Sequence, residues 1–190
     1  MSFDRQTWEF INSFSSWVAA FGTVGAVIVS LLLARRDKTV RIEVTAGLRL
    51  SVIPGTQPPY PELLCISITN IGHREAQITS IGWKIGYFKK QCMVQTIINN
   101  GISSILPVRL KDGEQATYYI PLNNETRWLE NFRNDFLQKY PRLMARSIKV
   151  LASTTIGKTY EAKIEDGLRW KLLGIDKPYY CSNNSNKRTE

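Results

Sequence analysis

The chain has 190 residues and a formal net charge of +9 at pH 7, from 25 Lys and Arg against 16 Asp and Glu. This length accommodates one domain of ordinary size besides a membrane segment and a short tail. The single histidine excludes a multi-histidine metal site, and three irregularly spaced cysteines argue against a disulfide framework or a CxxC metal site. No cofactor is therefore expected.

The most distinctive stretch is the apolar segment from Trp17 to Ala34. No charged residue lies between Glu9 and Arg35. As a helix, these 18 residues span about 27 Å, which is close to the hydrocarbon thickness of a bilayer. We therefore predict one transmembrane helix within residues 1–36. A cleaved signal peptide is the alternative, but the basic n-region and the small-x-small cleavage pattern that it needs are missing.

Flanking charges predict the orientation of this helix. Basic residues outnumber acidic ones after the segment, whereas the residues before it have no basic excess. By the positive-inside rule, we expect the N-terminus to lie outside the membrane and the C-terminal domain to lie in the cytoplasm. Aromatic residues before the segment suit the outer interface. The predicted membrane-interface residues are Trp8, Phe14, Trp17, Arg35, Arg36 and Lys38.

Small residues recur at every fourth position of the apolar segment, at Gly22, Ala26 and Ser30. This spacing places them on one helical face. A stripe of small side chains lets two helix backbones approach closely. It predicts a helix–helix contact and a homo-oligomer formed through the transmembrane helix, although small residues are also common on faces that contact lipid.

Residues 37–175 are predicted to form one β domain, and residues 176–190 a disordered polar tail. Apolar and polar residues alternate from Thr39 to Val52, which is typical of a half-buried strand. Further strands are predicted at 63–69, 76–85, 91–98, 105–110, 115–122, 146–155 and 158–164. A β-bulge is predicted near Thr79 and Ser80, where the inward positions change phase. This pattern predicts a mainly β fold, an antiparallel β-sandwich of immunoglobulin-like type.

One amphipathic helix is predicted to be inserted among these strands. Asn123 or Asn124 suits its N-cap, and the helix runs to about Tyr140, where Pro141 ends it. Aromatic residues at i, i+4 and i+8 form an apolar stripe typical of core packing. They are Trp128, Phe132 and Phe136.

The order of the segments is also familiar. WVAAFGTVGAVIVSLLLARR is followed by LLCISITNIGHREAQITSIGWKIG, LPVRLKDGEQATYYIPL and VLASTTIGKTYEAKI. This order resembles uncharacterised bacterial single-pass membrane proteins with a C-terminal immunoglobulin-like domain. The resemblance implies a membrane-anchored sandwich and no particular activity.

Basic residues surround the predicted soluble helix and form a candidate basic patch. Its members are Arg127, Arg133, Lys139, Arg142, Arg146 and Lys149. Such a patch attracts anionic lipid headgroups or nucleic acid. Nucleic acid is the less favoured partner, because no helix-turn-helix or zinc pattern supplies a reading element.

Catalytic motifs are missing from the sequence. Neither G-x-S-x-G, GxxxxGK[ST] nor GxGxxG occurs. His73 follows a predicted turn and is expected to be exposed, which leaves a hydrolase centred on His73 as one alternative. We expect a non-enzymatic, membrane-tethered interaction protein with a protein partner at the membrane, and in a sharper form a prophage-type superinfection exclusion or phage-defence protein. The alternative is a basic peripheral domain that binds anionic lipid or nucleic acid.

Overall fold

The computed structural model describes residues 5–175 except residues 38, 53, 56, 88, 98–100 and 124, and it leaves undescribed the side chains of residues 5–16, 36 and 37. The chain divides into two compact units, Met1–Thr39 and Val40–Glu190. Each unit is described separately. The predicted tail, residues 176–190, lies outside the described residues.

The first unit contains one long helix, α1 (Arg5–Asp37). Within it, Trp17–Arg35 is long and apolar enough to cross a membrane, and none of this segment is buried. The prediction of an N-terminal apolar helix is confirmed. A run of exposed apolar side chains this long needs a cover other than water.

The second unit is mainly β, as predicted, and its sheets are antiparallel. Its strands are β1 (Ile42–Leu50), β2 (Glu62–Asn70), β3 (Ala76–Ile85), β4 (Gln91–Val94), β5 (Val108–Leu110), β6 (Gln115–Pro121), β7 (Lys149–Thr154) and β8 (Thr159–Lys163). Its helices are α2 (Trp128–Phe136), α3 (Pro141–Ser147) and α4 (Asp166–Leu172).

Three strands form the first sheet, in the order β1-β2-β6. Strand β1 pairs with β2 along its whole length, from Ile42 opposite Asn70 to Leu50 opposite Glu62. Alternate residues of β2 are buried, among them Leu64, Ile66 and Ile68. This alternation follows from the two-residue period of a strand that has one face against the core.

The second sheet has the order β4-β3-β7-β8, and β5 also pairs with β3. Because β7 occupies one edge of β3, β4 and β5 lie end to end along the other edge. The register of β3 against β7 shifts between Ile78 and Ser80, which confirms the predicted bulge. Strand β5 is shorter than the predicted 105–110, since Pro107 has no backbone N–H to donate to a ladder.

The region between β6 and β7 differs from the prediction. A single helix over 123–140 was expected, but α2 ends at Phe136 and a second helix, α3, begins at Pro141. Proline lacks only an N–H that the first turn of a helix leaves unbonded, so Pro141 starts a helix here. The strand predicted at 146–155 therefore begins only at Lys149. The candidate cap Asn124 lies outside the described residues.

One buried cluster draws on both sheets and all three helices of this unit. It includes Ala46, Ile66, Ile81, Trp83, Tyr118, Phe132, Ala145, Val150 and Leu168. The predicted apolar stripe of α2 contributes Phe132 to this core, while Trp128 and Phe136 are partly buried against it. The stripe is thus used for packing, as predicted.

The strands give the β domain two ends. We call the first the junction end, because β1 begins there directly after Val40, and loops 71–75, 111–114 and 155–158 lie at the same end. The other is the helical end, where β6 leads to α2 and α3 and where β8 leads to α4. The nine residues of β1 separate the two ends by about 30 Å.

Candidate membrane anchor and basic surface

The candidate anchor is the exposed apolar segment of α1. Its large exposed side chains point in several directions around the helix, and they include Trp17, Val18, Val27, Val29 and Leu33. The rings of Trp17 and Phe21 lie 6.3 Å apart between centroids. An amphipathic surface helix would show one apolar and one polar face, whereas a helix that is apolar all round lies in the core of a large protein or in a membrane.

The small-residue stripe lies within this segment. Successive members of the stripe, four residues apart, are rotated by about 40° around the helix, so Gly22, Ala26 and Ser30 occupy one face. A Cβ added at Gly22 would meet nothing within 4 Å. The face is therefore open for close approach by another helix.

The predicted interface residues fall into two groups. Trp17 and Arg35 are exposed. The side chains of Trp8, Phe14 and Arg36, and the whole of Lys38, lie outside the described residues.

The structure divides the candidate basic patch. The Arg133 side chain donates from Nε to the Leu172 carbonyl oxygen at 2.8 Å and from a second nitrogen to the Lys171 carbonyl oxygen. These carbonyls belong to the last turn of α4, where four acceptors lack helical donors. Arg133 therefore joins α2 to α4, which leaves its guanidinium less available to a ligand than that of an exposed arginine.

Lys149 is also held within the fold. Its Nζ atom lies 3.0 Å from a carboxylate oxygen of Glu161, and Lys84 contacts the other oxygen of the same carboxylate. Hydrogen bonds, first from Lys84 and then from Lys149, lower the pKa of Glu161 below its ordinary value of 4.5. The three residues lie on adjacent strands, which explains their proximity.

Four members of the patch remain exposed: Arg127, Lys139, Arg142 and Arg146. Arg142 and Arg146 are four residues apart on α3 and thus share one face. Leu143 of the same helix is also exposed. The helical end therefore presents a smaller basic surface, with an apolar side chain among its charges.

An aromatic cluster behind this surface fixes α2. The rings of Trp83 and Phe132 meet edge to face at 5.6 Å, and Trp128 stacks on Phe132 at 4.8 Å. The Oε1 atom of Gln95 accepts the indole N–H of Trp83 at 2.9 Å and that of Trp128 at 3.0 Å. The sequence did not predict this role of Gln95, because nothing in the residues around a glutamine shows whether its side chain accepts an indole N–H or faces solvent.

Reactive groups of the β domain lie in ordinary surroundings. His73 Nδ1 is 2.7 Å from Asp112 Oδ2, and their side chains are 78% and 54% exposed. Such open exposure differs from the water-excluded setting in which catalytic electrostatics are strong. Cys65 lies half-buried on the outer face of β2, because Leu64 and Ile66 take the inward positions. Burial raises the pKa of its thiol.

Among the residues that the structure describes, no group of three or more His, Cys, Asp or Glu side chains is arranged to hold a metal ion.

No family model matches the sequence, and no curated protein is similar to it. Solved structures give weak likenesses. A Bordetella pertussis protein provisionally named ApaA is 18% identical over 67% of this chain and 91% of its own, with a TM-score of 0.32. The structural-genomics target SoR45 is 12% identical over 68% of this chain and 84% of its own, with a TM-score of 0.29. At these TM-scores neither likeness bears on function.

Proposed function

We propose that the chain is a single-pass bacterial inner-membrane protein whose α1 anchors a cytoplasmic β domain. The observation that carries this proposal is the exposed apolar segment Trp17–Arg35. The basic residues Arg35, Arg36, Lys38 and Arg41 follow that segment and support an external N-terminus by the positive-inside rule.

Topology reporters test this proposal. Alkaline phosphatase fused after Glu190 should be inactive and a green fluorescent protein fused there should fluoresce, because only the latter works in the cytoplasm. The protein should also resist extraction from membranes by alkaline carbonate. If the chain is instead a folded soluble protein, removal of its first 20 residues should leave its distribution between the soluble and membrane fractions unchanged. An active phosphatase fusion would reverse the orientation, and a processed, soluble product would identify a signal peptide.

The proposed role of the β domain is to bind a protein partner at the membrane without catalysis. We interpret its two antiparallel sheets as an immunoglobulin-like sandwich, a fold that commonly presents binding surfaces. Crosslinking in intact membranes followed by purification of the full chain tests this role. A partner captured by the full chain but not by a chain lacking the β domain supports it, whereas equal recovery from both contradicts it.

The sharper form of this role is prophage-type superinfection exclusion or phage defence at the inner membrane. A small anchored domain suits a protein that obstructs entry by contacting another membrane component. Efficiency of plating should fall for at least one phage when the full chain is expressed. A chain with the β domain removed is the control, and unchanged plating across a broad phage panel would contradict this role.

The exposed basic surface of α3 supports a second candidate function, binding of anionic lipid or nucleic acid. Salt-sensitive binding to phosphatidylglycerol vesicles or DNA is expected, since counterions screen the attraction. Arg142→Glu with Arg146→Glu should abolish this binding. For DNA, Lys111→Glu with Lys158→Glu makes the same charge change at the junction end and is the matched control. Equal loss of DNA binding in both variants would show that net charge alone is responsible.

A further inference from the structure

The junction end of the β domain carries two exposed isoleucines at the tips of loops. Ile71 follows β2 and is 54% exposed, and Ile156 lies between β7 and β8 and is 62% exposed. Both loops are short, and backbone hydrogen bonds from Gly157 to Thr154 and from Thr154 to Lys158 close the turn that carries Ile156. Isoleucine at a turn tip gains nothing from the turn itself, where Gly, Asn, Asp and Ser are favoured.

Both loops flank the point at which the chain joins the domain. The Ile71 amide donates to the Arg41 carbonyl oxygen at 3.0 Å. On the other side, the Tyr160 hydroxyl donates to the Val40 carbonyl oxygen at 2.6 Å. Val40 and Arg41 are thus held between the loop that carries Ile71 and the hairpin that carries Ile156.

The isoleucine loops are held in place by buried contacts. Asn70 is fully buried, and its side-chain amide donates to the carbonyl oxygens of Arg74 and Leu110 at 2.8 and 2.9 Å. Its Oδ1 atom accepts the Gly72 amide at 3.0 Å. In the hairpin, Thr154 bonds the Lys158 carbonyl oxygen through its hydroxyl at 2.7 Å. The two tips are therefore presented by ordered loops.

The short linker between α1 and β1 limits the distance between the proposed anchor and the junction end, which carries Ile71 and Ile156. Four residues separate Arg35 from Val40, so the two Cα atoms lie at most about 18 Å apart whatever path the linker takes. The helical end is about 30 Å further along the strands. Of the two ends, the junction end is the one that the covalent chain holds near the anchor.

Charges around the two isoleucines are mixed. The junction end has the basic residues Arg41, Arg74, Lys111 and Lys158 and the acidic residues Glu75, Asp112 and Glu114. Asp112 pairs with His73, and a Glu114 carboxylate oxygen accepts the Lys111 amide at 2.8 Å. Basic side chains beside apolar tips suit an anionic lipid interface, which attracts the charges and accepts the apolar groups.

We propose that the junction end docks on the lipid surface beside the anchor, with Ile71 and Ile156 inserted among the headgroups. This inference rests on the proposed function, because it requires α1 to be in the membrane. It gives the β domain a fixed orientation and leaves the basic surface at the helical end facing away from the lipid.

Site-directed spin labelling of the full chain tests this docking. The chain is reconstituted in vesicles of phosphatidylethanolamine and phosphatidylglycerol, with Cys65, Cys92 and Cys181 replaced by Ser. Labels are placed by Ile71→Cys and Ile156→Cys, and by Leu143→Cys as an exposed apolar control at the helical end. The ratio of collision with oxygen to collision with a water-soluble nickel chelate should be several-fold higher at the first two positions than at the third.

The outcomes separate the two proposals. If carbonate removes the chain from the vesicles, the proposed function fails and the docking fails with it. If the chain stays inserted but labels at the two tips contact nickel as freely as the control, only the docking is wrong. Labels shielded from both reagents would indicate a second protein surface, and a high ratio at Leu143→Cys alone would indicate docking through α3. Both results would overturn this inference.

Discussion

At the residue scale, Gly47 shows how one position depends on a distant side chain. The Arg49 guanidinium forms a two-pronged ion pair with Glu165, at 2.6 and 2.7 Å. A Cβ added to Gly47 would lie within 3.0 Å of both partners. Because Gly47 has no side chain, the ion pair between Arg49 of β1 and Glu165, the residue before α4, has room to form.

Gly47→Ala should therefore lower the free energy of unfolding by about 1 kcal/mol, which is the scale of a partly exposed ion pair. Chemical unfolding of the detergent-solubilised chain, followed by tryptophan fluorescence, measures the change. Gly167→Ala is the matched control, because its Cβ would meet only Leu48 at 4.0 Å. Within α4 this change should be neutral or should stabilise by up to about 1 kcal/mol. Equal destabilisation by both variants would contradict the assigned role of Gly47.

Glu161 gives a pH dependence whose sign follows from its lowered pKa. Its ion pairs with Lys84 and Lys149 stabilise the folded state fully above the unfolded value of about 4.5. This contribution is lost as the pH falls from there through the lower pKa of the folded state. Glu161→Gln should be less stable than the original chain at pH 7, and the difference should shrink across that acidic window in unfolding titrations.

Glu43→Gln provides the comparison for this experiment, since it removes an exposed carboxylate from β1. It should leave stability at pH 7 almost unchanged. A difference for Glu161→Gln that is constant from pH 7 down to pH 3 would show that the ion pairs do not contribute as proposed.

Residue-level predictions from sequence succeeded where the signal is local. Alternation is set by the pleat, so the buried positions of β1 and the bulge between Ile78 and Ser80 could be predicted. Partners distant in sequence could not. The role of Arg133 depends on carbonyl oxygens 38 and 39 residues away, and an arginine at a helix surface gives no sign of such a contact.

At the element scale, the region between β6 and β7 shows that a proline can either end one helix or begin the next. Its apolar stripe predicted a helix and its buried face. From the sequence, Pro141 was interpreted as the end of a helix. Proline is equally suited to the first position of a helix, and the conformation of the residues before Pro141 decides between these two roles. Tyr140, before Pro141, adopts an extended φ of −149°, as expected for a residue that precedes proline.

Substitution of Arg133 or Arg142 by methionine should distinguish an arginine that stabilises the fold from one that binds a ligand. Arg133→Met keeps the apolar stem but removes the bonds to α4, so it should cost about 1–3 kcal/mol. Arg142→Met should change stability by less than about 0.5 kcal/mol and weaken the salt-sensitive binding of DNA. Unfolding curves and DNA titrations measure the two effects. Loss of DNA binding in a stably folded Arg133→Met chain, with Arg142→Met unaffected, would reverse the assignment.

At the scale of the whole molecule, the apolar helix α1 could be predicted more completely than the β domain. An apolar run without charges identified α1 because its signal needs no partner. The strands were predicted, yet which strand joins which sheet depends on pairings between distant segments, such as β2 with β6. Local patterns carry no information about that order.

Self-association of the whole molecule should depend on the small-residue face of α1. Gly22→Leu would place a large side chain on that face and should lower dimer formation several-fold, because close backbone contact is lost. Val24→Leu increases the side-chain volume by less and on the opposite side of the helix, so it serves as the control. Förster transfer between differently labelled chains in vesicles measures association. Unchanged transfer in Gly22→Leu would show that this face contacts lipid.

Attachment through β1 has a mechanical consequence. Strand β1 runs from the junction into the domain and is paired with β2 at all nine of its positions. Ladder hydrogen bonds lie perpendicular to the strands, so tension on Val40 along the axis of β1 loads them side by side, in shear. The bonds must then yield together, whereas a pull across the strand would break them one at a time. A domain attached in this way can bear tension on the segment before Val40 without releasing its first strand.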